Sequence, residues 1–186
     1  MASRLAVFSL LVFAFSAVAG CSGSLRDYSM VSPVSSADCA FEDSDVRLKV
    51  AIVKDRKFGL VLVNKTDKPL RITWGNSTVV AGSGTEEPLA YALLPPGRDE
   101  GKSVLTPVAP GGTLSAEVYP ASHVAGDGKG GQVVHPLYYK GSGEAGPKSL
   151  AGKVIGINLV VEVNDHTRLY PLMVRVERRS FLGLPR

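Results

Sequence analysis

The chain has 186 residues, enough for one hydrophobic core and too few for two large domains. Apolar residues make up 45%, charged residues 20% and aromatic residues 7%, with a net charge of +4; this is globular usage and excludes wholesale disorder. Two cysteines exclude a disulfide scaffold and a four-cysteine zinc site, while Gly 20 and Pro 12 favour turns over long helices.

Residues 1–20 read as a signal peptide. Arg4 and the amino terminus supply a positive start, and an apolar run follows from Leu5 to Val18, broken only by Ser9 and Ser16. Fourteen residues at 1.5 Å each reach about 21 Å, short of the ~30 Å hydrocarbon core, so a secretory leader fits better than a spanning helix. Val18-Ala19-Gly20-Cys21 then resembles the lipobox of bacterial lipoproteins. That resemblance implies a diacylglycerol thioether on Cys21, cleavage before it and acylation of the new amine. The chemistry needs small residues that fit a peptidase and a sulfur nucleophile. Three acyl chains hold a protein on a bilayer durably where one does not. By the lipoprotein sorting rule, Ser22 in place of Asp implies the outer membrane, with the protein facing the periplasm.

Residues 21–44 read as the lipidated cysteine and a flexible tether. Seven of the 23 residues from Ser22 to Ser44 are Ser, Pro33 interrupts, and no strand or helix period persists. Asp27, Asp38, Glu42 and Asp43 against Arg26 make this stretch acidic, whereas the remainder carries nineteen Lys and Arg against thirteen Asp and Glu. The basic excess suits solubility and a bias toward anionic surfaces. Cys39 falls in the tether as a lone thiol, either incidental or open to pairing with another chain.

Residues 45–179 alternate with period two, the strand signature. Val46, Leu48, Val50 and Ile52 alternate with Arg47, Lys49 and Ala51. Phe58, Leu60 and Leu62 continue after the Lys54-Asp55-Arg56-Lys57 turn. Asn64 to Pro69 then leads into Leu70, Ile72 and Trp74, so this opening reads as an antiparallel meander with Trp74 in the core. Pro110-Gly111-Gly112 starts a strand from Thr113 to Tyr119. The clearest hairpin runs from Val154 to Val163 through Asn164-Asp165-His166 and back along Arg168 to Glu177, with Ile155, Ile157, Leu159, Val161 and Val163 on one face. Pro171 requires an edge or a bulge. Helices should be few and short. The expected fold is all-β: an antiparallel, immunoglobulin-like β-sandwich of about seven strands, followed by a basic and apolar tail over residues 180–186. Two Gly/Pro-rich segments, about Gly82 to Gly101 and Ala125 to Gly152, read as long loops.

No enzyme signature emerges. Gly126-Asp127-Gly128-Lys129-Gly130-Gly131 fits G-x-G-x-x-G, but Gln132-Val133-Val134-His135-Pro136 cannot open the phosphate-binding helix, so a loop tip is the better reading. No Ser has Gly two residues before and two after it, and the pairs Glu86-Glu87 and Asp99-Glu100 point apart in extended chain. Asn64-Lys65-Thr66 and Asn76-Ser77-Thr78 fit the glycosylation sequon. The binding candidates are His123, Asp127 and His135, which could converge across one loop, and Tyr91, Tyr138 and Tyr139, which could offer a stacking surface to a sugar or a partner chain. No cofactor or nucleic-acid partner is indicated.

Phe58-Gly59-Leu60-Val61-Leu62-Val63-Asn64, Leu70 to Trp74, the strand from Pro110-Gly111-Gly112 to Tyr119-Pro120 and the C-terminal hairpin resemble a group of uncharacterised bacterial lipoproteins, over roughly Val46 to Glu177. The resemblance implies an envelope location and transfers no activity. The expected function is a non-catalytic, membrane-anchored envelope lipoprotein. It would be held to the lipid bilayer through acylated Cys21 and would bind or scaffold an envelope protein or polysaccharide. The alternative is a periplasmic small-ligand or metal-binding module built on the loop from His123 to Tyr139.

Overall fold

Period-two alternation commits the chain to strands whose apolar faces must meet, and the computed structural model, which describes residues 28–94, 105–128, 131–137 and 151–177, is mostly antiparallel β. Cys21, Tyr138 and Tyr139 lie outside the described residues. The strands are β1 (Tyr28–Ser32), β2 (Ala40–Glu42), β3 (Val46–Val53), β4 (Lys57–Asn64), β5 (Leu70–Thr73), β6 (Thr78–Val80), β7 (Glu86–Leu94), β8 (Leu105–Val108), β9 (Thr113–Pro120), β10 (Val124–Gly126), β11 (Gln132–Val134), β12 (Val154–Val163) and β13 (His166–Val176). Single 3₁₀ turns at Trp74–Asn76 and Ala121–His123 are the only helical pieces among the described residues. Thirteen strands replace the expected seven or so, because several three- and four-residue strands are too short to leave a period in the sequence.

Eleven strands form one nearly closed sheet in the order β1-β13-β12-β6-β7-β9-β4-β3-β2, with β5 pairing β12 and β8 beside it. β7 carries the sheet around. Its first residues pair with β6 (Glu86 with Val80) and the rest with β9, from Leu89 with Pro120 to Leu94 with Ser115. The core inside is built from the inward residues that the alternation marks: Leu48, Phe58, Leu60, Leu62, Ile155, Ile157, Leu159 and Leu172 are fully buried.

The C-terminal hairpin forms as the sequence dictates. Val154 to Val163 pairs residue for residue with Arg175 to His166, and Asn164 and Asp165 turn the chain at φ 49° and 63°. These are the left-handed angles a two-residue turn needs and Asn and Asp tolerate. Pro171 faces Asn158 in β12, and β1 covers β13 only from Met173 onward, so Pro171 sits on an uncovered edge.

Three expectations are corrected. The segment up to Ser44 is not a tether throughout: Tyr28–Ser32 adds to β13 and Ala40–Glu42 adds to β3, so one N-terminal strap caps both open edges of the sheet. Met30 (0% exposed) and Cys39 (1%) are in the core, and the Cys39 thiol contacts the Tyr28 carbonyl at 3.8 Å, which removes it from reach of another chain. Serine-rich composition hid this because the pairing is with distant edges rather than within the segment.

The opening meander breaks after β4, since β5 crosses to β12 and β8. Buried Asn64 pins that crossing. Its Nδ2 donates to the carbonyls of Lys68 (2.8 Å), Val108 (3.0 Å) and Ala109 (3.1 Å), and its Oδ1 accepts from the Thr66 amide and hydroxyl. The first sequon therefore carries a side chain committed to the fold. Finally, the first Gly/Pro-rich segment contains β7, and the second opens with the β10–β11 hairpin.

Candidate functional site

A groove of about 470 Å³ lies where β7 meets β9 and the β10–β11 hairpin, lined by Leu89, Ala90, Tyr91, Ala92, Tyr119, Ala121, Val124 and Gln132. Its volume is in the range that holds a small ligand or a short stretch of a partner chain. The alternation of β9 turns Ala116 and Val118 into the core and leaves Tyr119 half-buried at the groove wall. Tyr91, opposite Val118 in the ladder, is fixed by stacking on buried Trp74, with ring centroids 4.4 Å apart and planes 14° apart. Trp74 is held in turn by its indole N–H, which donates to the Thr106 hydroxyl at 2.8 Å. Trp74 is thus a core residue, as the sequence suggested, and Tyr91 stands on a strand against it rather than in a loop.

The 3₁₀ turn after β9 places His123 between the groove-lining residues Ala121 and Val124 in the chain. His123 is 5% exposed, and its carbonyl accepts the His135 N–H at 2.8 Å across the base of the hairpin. Burial pushes the His123 pKa below its ordinary value, against the charge of Glu87, while His135 acts both ways, its charge lowering and its backbone hydrogen bond raising it. Beside it the Ser122 hydroxyl donates to Glu87. The hairpin is also tied to the β3–β4 turn: Arg56 Nη1 donates to the Val134 carbonyl (3.2 Å), and the amide of buried Leu137 donates to the Asp55 carbonyl (2.8 Å).

Of the residues singled out in the sequence, His123, His135 and Tyr91 come to this region. Asp127 does not. It closes the far tip of the hairpin, where its carboxylate accepts the Gly131 N–H at 2.8 Å, and four residues of strand, about 13 Å, separate it from His123. The glycine-rich motif thus starts at the end of β10 and is followed by strand β11, where a phosphate-binding motif would need a helix. Among the described residues no group of three or more His, Cys, Asp or Glu is placed to hold a metal ion.

Sequence reasoning missed Tyr119 and Gln132. The signal for Tyr119 was present in its alternation with Val118, whereas Gln132 becomes a wall residue only through the hairpin. Among the described residues the lining has no carboxylate, imidazole or cation, so the chemistry they offer is aromatic faces, small apolar side chains and one amide. Such a surface suits an uncharged amphipathic occupant. Comparison with protein-family models, with curated proteins and with solved structures finds no match to this chain.

Proposed function

We propose that the protein is a non-catalytic lipoprotein of a bacterial envelope, anchored through acylated Cys21 in the outer membrane and binding or scaffolding another envelope component on the periplasmic side. The observation that carries this reading is the sequence Val18-Ala19-Gly20-Cys21 directly after a fourteen-residue apolar run with a positive start. The body suits such a role as an immunoglobulin-like β-sandwich with a groove open to another envelope component. Mass spectrometry of the mature N-terminus tests the anchor: an acylated cysteine at position 21 is expected, and Cys21→Ala should leave the membrane fraction without the modified species. An unmodified thiol on the mature protein, or a retained leader, refutes the reading.

A second reading is favoured by the groove itself: residues Leu89–Ala92, Tyr119 and Gln132 would take a small uncharged ligand such as a sugar, stacked on Tyr91 or Tyr119. Tyr119→Ala, which leaves the Trp74–Tyr91 stack in place, should abolish binding of such a ligand in calorimetric titration while thermal stability stays near that of the parent. Unchanged binding to Tyr119→Ala would assign the ligand elsewhere.

A further inference from the structure

The position of Tyr28 in the fold orients the body on its anchor, an inference that rests on the lipidated reading above. Because β1 begins at Tyr28, only residues 22–27 separate the acylated cysteine from the sheet. Seven Cα steps span at most about 25 Å, against about 75 Å for a tether running to Ser44. The leash is therefore no longer than the body, and it leaves from one end.

That end is defined by contacts around Tyr28. Its hydroxyl donates to Asp55 in the β3–β4 turn (3.0 Å), and Tyr28 pairs with Val176 at the end of β13. Val176 in turn hydrogen-bonds Gly152 and Lys153 at the start of β12. Exposed Lys54, Arg56, Lys153 and Arg175 surround this junction, and none takes part in an ion pair among the described residues. Among the described residues the carboxylates of the same end include Asp55, Glu86, Glu87 and Glu177, each accepting a hydroxyl hydrogen bond, from Tyr28, Thr78, Ser122 and Ser29 respectively, and Glu117, which pairs with Lys57. At the opposite end Arg168 pairs with Asp43 and Asp45, and Arg47 and Lys65 with Glu42, which leaves Lys68 beside Asp67 as an exposed cation outside these pairs.

We infer that the Tyr28 end of the sheet rests on the phospholipid surface, with Lys54, Arg56, Lys153 and Arg175 on headgroup phosphates and the Asn164–Asp165 turn directed away. The groove shares the membrane-side end, since the β10–β11 hairpin is tied to Asp55 and Arg56. Its occupant is thus met next to the bilayer.

The test uses the intact acylated protein in phospholipid vesicles carrying a headgroup-attached nitroxide quencher. A fluorophore is placed at Glu177→Cys or Thr167→Cys, exposed positions ten residues and about 33 Å apart along β13. A second pair, Ser83→Cys and Asp67→Cys, repeats the comparison on other strands and covers the case in which one labelled variant misfolds. The expected result is strong quenching at 177 and 83 and its loss at 167 and 67, with the contrast erased when Lys54, Arg56, Lys153 and Arg175 are all changed to Gln. Equal or reversed quenching in a protein whose Cys21 acylation is verified by mass overturns the orientation alone. A contrast that survives the four changes overturns the role given to the cations. Absence of the acyl group overturns the anchored reading and this inference with it.

Discussion

The N-terminal strap and the C-terminal hairpin fold by opposite logics. The β12–β13 hairpin pairs with its own neighbour in sequence over ten residues, turns on Asn164 and Asp165, and buries a period-two face. The strap, residues 28–42, pairs nowhere within itself except for the Met30–Ser36 bridge; its strands exist because β13 and β3 offer open edges. Yet Met30 and Cys39 are as deeply buried as Ile157 or Leu172. A segment with weak local preference becomes structural when two distant edges need covering.

Substitutions in each region can break or sharpen this contrast. The largest effect is expected at Gly156→Val in the hairpin. A Cβ there lies 2.2 Å from the Leu172 carbonyl oxygen and 2.8 Å from the Met173 Cα, both backbone atoms that cannot step aside. A loss of about 3 kcal/mol or more in urea unfolding should follow. Met30→Ala in the strap is the decisive comparison: a core role predicts about 2–4 kcal/mol, matching Leu172→Ala in the hairpin. A value below about 0.5 kcal/mol, the usual scale for surface changes, would return the strap to the status of a tether.

Asn64→Ala should cost about 2 kcal/mol in the same assay, because the carbonyls of Lys68, Val108 and Ala109 lose their shared donor. Tyr28→Phe removes one hydrogen bond to Asp55 and should cost about 1 kcal/mol, with the strap still docked. The smallest effect is a pH dependence. Burial holds the His123 pKa below its ordinary 6.5, so the unfolded imidazole binds a proton that the folded one refuses. That contribution is fully present above about pH 6.5 and declines as pH falls below it, and His123→Gln should flatten this limb of the stability profile. Glu42 in the strap acts in the same direction at lower pH, its contribution being present above the ordinary carboxylate range and lost as pH falls toward 2. Hydrogen bonds from Arg47 and Lys65 hold its carboxyl down to about 2, and its solvent-exposed position makes that a minor contributor.

Much of the groove was only half legible. Trp74 declared itself by alternation with Leu70 and Ile72, and Tyr119 by alternation with Val118. Tyr91 was visible as an aromatic but not as a strand residue, because Gly82, Gly84, Pro88 and two glutamates mask β7 as a loop. Asp127 and the two histidines share one stretch of sequence, but a hairpin sends the residue at its tip away from those at its base.

By itself the amino-acid sequence determined the all-β class, the β3–β4 and β12–β13 hairpins and the inward faces of the long strands, since each rests on spacing between near neighbours. Only the tertiary structure decided which edges the first strands close, that β5 leaves the meander, and that β7 joins the two halves of the sheet. Those outcomes depend on hydrogen-bonding edges brought together from opposite ends of the chain, and no local pattern encodes where a distant edge is left open.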